Sequence, residues 1–197
     1  MKHTHLLIFL LLICINNGIA QANDTAALRL NNYRDKVFSV FNRCNSLDKE
    51  ITIAIKAKNS NDIESGRLAL LQCSIDGMKQ LDIMENFDGD PALKFSCRDV
   101  LKFYKQLSES DLPQIRDFFI VEENFFKIKK EFEKRKIKKH SQSEIITYNS
   151  EANKYNKAIT RYMQMSGFIE GARKLTLYNW NASVKIFMDS HKLNFLK

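Results

Sequence analysis

The chain has 197 residues, a formal net charge of +8 and 44% hydrophobic residues, a composition that excludes an unfolded polar tract. Two prolines and six glycines leave too little turn chemistry for a β-sandwich or barrel. Four cysteines and four histidines limit what metal or redox chemistry could be built.

The first twenty residues read as an export signal. Lys2 gives a basic start, Leu6 to Ile15 an apolar run, and Gly18-Ile19-Ala20 a small-x-small cleavage signature. The apolar run is about half of the ~20 residues that span a bilayer, so cleavage before Gln21 is expected rather than anchoring. Cys14 suggests lipid attachment, but Ile13 stands where lipoprotein processing needs a small residue. The remaining 177 residues, 21–197, suit a single domain. No later apolar run is long enough to span a membrane.

Leu30, Tyr33, Val37, Val40, Cys44, Leu47, Ile51 and Ala54 alternate at three and four residues, which predicts a long first helix from near Thr25 to Lys58. Asn59-Ser60-Asn61-Asp62 is a turn whose last members can cap a second helix. Its stripe is Leu68, Leu71, Ile75, Met78 and Leu81, widened by Leu70, Ile83 and Met84. The clearest helix start follows. Gly89 can take positive φ, Asp90 can act as N-cap, and Pro91 suits a first helical position. Leu93, Cys97, Val100, Leu101, Tyr104 and Leu107 then share one face of this third helix.

Ser108-Glu109-Ser110 predicts a stop, and Asp111-Leu112-Pro113 a fresh cap. The fourth helix carries Phe118, Val121, Phe125, Ile128 and Phe132 in the same alternation, flanked by Phe119 and Phe126. His140 to Glu144 is a turn with capping residues. In the last helix Ile145, Tyr148, Ala152, Tyr155, Ile159, Tyr162, Ser166 and Ile169 resume the pattern. A second series of Leu177, Trp180, Val184, Phe187 and His191 is out of phase, which predicts a long helix bent near Gly167 and Gly171. The fold class expected is all-α: an antiparallel bundle of about five helices, two of them long, with coiled-coil-like packing.

Cys44, Cys73 and Cys97 remain after cleavage, an odd number that leaves at least one thiol without an intramolecular partner. A Cys44–Cys73 bridge is compatible with the turn near Asn59–Asn61, and a Cys73–Cys97 bridge with the turn at Gly89. Cys44 and Cys97, both on apolar stripes, are nonetheless expected to be reduced and packed as small hydrophobes rather than bridged.

Charge is distributed unevenly. Residues 21–126 hold 14 basic and 17 acidic residues, and residues 127–197 hold 16 and 6. The basic residues crowd at Lys127, Lys130, Lys134, Arg135, Lys136, Lys138 and Lys139, the candidate contact with an anionic partner. Outside the cytoplasm that partner is an anionic lipid surface, an acidic glycan or an acidic protein, and no nucleic acid is expected. Cations at a helix C-terminus also have a purely local reason to be there.

Cys-x-x-Cys, Cys-x-x-Cys-His, Glu-x-x-His, His-Glu-x-x-His, Gly-x-Ser-x-Gly and phosphate-binding glycine loops are absent. Asp88-Gly89-Asp90 lacks the rest of a calcium loop. Trp180, on a helical seam, suits a core better than a sugar site. Asn181-Ala182-Ser183 matches a glycosylation acceptor within a helix.

Phe87-Asp88-Gly89-Asp90 with Leu93 and Lys94, followed by Leu101-Lys102-Phe103-Tyr104-Lys105, resembles an uncharacterised family of exported spirochaete-type bacterial surface proteins. The resemblance implies a helical fold at the periplasm or cell surface of a Gram-negative bacterium, and assigns no activity. The function expected is therefore a non-catalytic envelope protein without cofactor, acting as a binding or scaffold module. The alternative is a carrier holding an apolar small molecule in the bundle.

Overall fold

The computed structural model describes the backbone of residues 2–135 and 140–194, and the side chains of residues 25–135 and 140–192. Helices α1 (Lys2–Lys56), α2 (Ser60–Ile83), α3 (Ala92–Gln106), α4 (Leu112–Glu133) and α5 (Gln142–Asn194) follow one another. A π-helical turn, Leu107–Asp111, joins α3 to α4 without interruption, so the described residues form four helical rods packed against each other. No strand occurs among the described residues, and Phe87 and Asp90 form one isolated bridge.

The count of rods departs from the five expected because the stop at Ser108 does not occur. Leu107 and Leu112 are both fully buried, so the core holds the chain on either side of the polar stretch. The Ser108 hydroxyl donates to the Tyr104 carbonyl at 2.9 Å, and Arg67 donates to the Ser108 carbonyl at 3.3 Å. The serine that could break the helix is thus satisfied within it. The wider turn sits just before Pro113, where a missing N–H would otherwise interrupt the α-helical ladder. Asp111 consequently makes no side-chain cap.

The α1 seam is buried as its spacing predicts, from Leu30 and Tyr33 through Val37, Val40, Cys44 and Ile51 to Ala54. The backbone is helical from Lys2, beyond the expected start near Thr25; the side chains of residues 2–24 lie outside the described residues. Lys58 takes a positive φ of 54° to close the helix. Asn59, rather than the later members of its cluster, caps α2, accepting from the Asn61 and Asp62 amides at 3.2 Å.

The buried face of α2 is rotated from the expected one. Ile63, Leu70, Cys73, Ser74, Gly77 and Leu81 face inward, whereas Leu68 and Ile83 are exposed. Two close approaches cause this. A Cβ on Gly77 would lie 3.0 Å from both Val40 and Leu101, and one on Gly66 only 2.6 Å from Ile51. Cys73, on the same face, is joined by a disulfide to Cys44 of α1 with a Cα separation of 5.8 Å. Among the described residues Cys97 is the free thiol, buried in the core, and burial pushes its pKa up to about 12.

The turn before α3 has positive φ at both Asp88 (48°) and Gly89 (85°), the backbone of a type I′ reversal. Asp90 accepts from the Ala92 amide at 2.8 Å, the first free N–H of the helix as expected, although the cap position itself falls on Pro91. The Asp90 Oδ2 lies 3.0 Å from His191 Nε2, tying the end of α5 to this turn among Tyr33, Phe87 and Phe187. Helix α5 runs unbroken past Gly167 and Gly171. Trp180 is core, stacked on Phe41 at 4.9 Å.

Candidate functional site

The serine–glutamate pair at the start of α5 forms a capping box. Glu144 accepts from the Ser141 amide at 2.8 Å, and the Glu144 amide donates to the Ser141 hydroxyl at 3.2 Å. The cap turns the chain back so that α5 runs along α4. Phenylalanines recur every seventh residue on α4 and tyrosines every seventh on α5. They meet as near-parallel stacks: Phe118 on Tyr162 at 4.3 Å, Phe125 on Tyr155 at 4.7 Å and Phe132 on Tyr148 at 4.3 Å. His140 stacks against Phe132 at 3.9 Å. Stacking aromatic rings adds about 0.5–1.5 kcal/mol per pair beyond burial.

This ladder holds together a two-helix arm. At its base Lys58, in the α1–α2 turn, donates to Glu122 at 2.7 Å and lies over the Phe119 ring. The hydrogen bond to Glu122 raises the Lys58 pKa above its ordinary value. From Phe125 outward, the ring contacts of α4 outside its own helix all go to α5 or His140. Glu133 ends α4 about 16 Å beyond Glu122 at the usual rise per residue.

Of the cations expected to contact an anionic partner, Lys127, Lys130, Lys134 and Arg135 lie on this arm. Lys127 pairs with Glu123 at 2.7 Å, and Lys134 with Glu131 at 2.6 Å. Arg135 pairs with Glu144, and Lys130 makes no ion pair among the described residues. Lys136, Lys138 and Lys139 lie outside the described residues. The Ser141 amide, then the Arg135 guanidinium, hold the Glu144 carboxyl down to about 2. Lys127, Arg135 and Glu144 border a groove of about 370 Å³ floored by Ile128, Phe132 and Tyr148. Phe126 and Ile146 are exposed on the same arm, at 47% and 58%.

Three polar pairs illustrate partners that the sequence does not reveal. Asp48, 2% exposed, accepts two bonds from Arg173 at 2.8 Å across α1 and α5. Lys58–Glu122 and His191–Asp90 are the other two. The signal for Asp48 is a carboxylate one place past the seam position Leu47, and only the fold supplies its partner 125 residues away. Beside Arg173 a second groove, of about 400 Å³, runs between α1, α4 and α5 and is lined by Ile55, Leu112, Ile115, Ile169 and Leu177. Among the described residues no three His, Cys, Asp or Glu side chains gather as a metal ion needs, and no helix is long and apolar enough to cross a membrane.

No family model, curated protein or solved structure matches this chain.

Proposed function

We propose that the protein is a non-catalytic, exported envelope module of the periplasm or cell surface, which contacts an anionic surface through the tip of the α4–α5 arm. The observation that carries this reading is the grouping of Lys127, Lys130, Lys134 and Arg135 on an arm that also exposes Phe126 and Ile146. Cations beside exposed apolar side chains suit the boundary between head groups and acyl chains. An anionic lipid surface is therefore favoured over an acidic glycan or acidic protein. The intramolecular pairs do not oppose this, since exposed ion pairs are worth only about 0–1 kcal/mol and exchange readily. The rods are read as packing antiparallel in coiled-coil fashion, and the ladder supports that reading, because its partners ascend α4 as they descend α5.

Cosedimentation with vesicles tests the proposal. Binding to anionic vesicles, and not to neutral ones, is expected to weaken as salt rises and to be lost with Lys134→Glu, Arg135→Glu and Lys136→Glu together. Binding indifferent to salt or to these reversals overturns it.

A second reading, a carrier of an apolar small molecule, is favoured by the groove of about 400 Å³ between α1, α4 and α5. Native mass spectrometry of the purified protein decides it: without a co-purified small molecule that reading falls.

A further inference from the structure

Helix α5 has a second apolar face, which points away from the bundle. Phe168, Leu175, Tyr178 and Ile186 are 72%, 61%, 71% and 69% exposed, yet they share one face of a 3.6-residue period. These are large side chains at regular spacing, unlike the scattered single apolar residues of an ordinary surface. From their exposure, two such faces would remove roughly 1,000 Å² from water, about the least a specific interface requires.

The face also matches itself in reverse. When a second copy is laid on it antiparallel, centred between Gly171 and Leu175, Phe168 falls level with Tyr178 and Leu175 with Gly171. A Cβ added to Gly171 meets nothing within 4 Å, so the position is an open notch that can receive a leucine. At either end Lys157 falls level with Asp189. Both are exposed on this face, and neither has an ion-pair partner among the described residues. One register thus places aromatic against aromatic, large against small and cation against anion, each twice, as a twofold interface demands. A parallel twofold pair, in which each residue meets its own copy, keeps ring on ring but sets Leu175 against Leu175 and Lys157 against Lys157.

We propose that the protein forms a twofold dimer in which the outer faces of two α5 helices pair antiparallel about this centre.

Sedimentation equilibrium of the full chain tests the dimer and its register. The wild type is expected to be dimeric, and Phe168→Glu with Leu175→Glu to raise the dissociation constant on the order of a hundredfold. Both sites are exposed, so circular dichroism and thermal melting should show the monomer folded. Lys157→Glu and Asp189→Lys should each weaken the dimer on the order of tenfold, and combining them in one chain should restore it. A wild-type monomer up to millimolar concentration overturns the proposal, as does a dimer insensitive to the glutamate pair. Single reversals without effect, or a double reversal that fails to recover affinity, overturn the antiparallel register.

Discussion

The body of the bundle and the α4–α5 arm are built from the same kind of helix and held by different forces. In the body, Leu101, Tyr104, Leu112, Trp180 and Phe187 are all at most 2% exposed, the disulfide spans α1 and α2, and the buried Asp48 carboxylate is held by Arg173. Along α5 from Gln142 to Phe168, by contrast, no side chain is fully buried. The arm relies on stacked rings, a capping box and exposed ion pairs. Burial of apolar area scales with how many rods surround a side chain, and two helices can each cover only one side of the other. The arm should therefore open locally before the body unfolds.

The largest effect expected from breaking this contrast is in the body. Trp180→Ala removes a core ring stacked on Phe41 and should cost about 3–5 kcal/mol, read as a fall in the denaturation midpoint of the whole protein. A loss below about 1 kcal/mol would mean the core is not shared between α1 and α5.

A smaller, local effect is expected in the arm. Tyr155→Leu keeps an apolar side chain but removes the ring stacked on Phe125, and should cost about 0.5–1.5 kcal/mol. Hydrogen exchange should show amides on both sides of the ladder losing protection while α1 and α3 keep theirs. Equal loss throughout would show that arm and body open as one unit.

The smallest effect concerns the cap. Because the Glu144 pKa is depressed from 4.5 to about 2 in the fold, its contribution is present above the unfolded value and lost as pH falls toward 2. Protection of the first α5 amides should fall across that window in the wild type. Glu144→Gln should show the reduced protection already at neutral pH and change little on acidification. A flat wild-type profile would count against the capping box.

Hydrophobic spacing alone specified the helices, because a stripe every three and four residues can be buried only by a helix lying against a neighbour. The seams of α1 and α3 and the core position of Trp180 followed from it, as did the α5 series shifting phase at the point where its neighbours change. The turn at Gly89 followed instead from the chemistry of Gly89, Asp90 and Pro91. Spacing could not reveal that Ser108 stays inside a helix, since that depends on Leu107 and Leu112 being gripped by other rods. Nor could it choose the inward face of α2, where Gly66, Gly77 and the Cys44–Cys73 bridge outweigh the side chains that read as most apolar. The phenylalanines and tyrosines at sevenfold spacing were each visible, but not as stacked partners. Pairings between distant residues, whether ring on ring or Arg173 on Asp48, come from how rods pack, and local periodicity carries no information about which rod lies next to which.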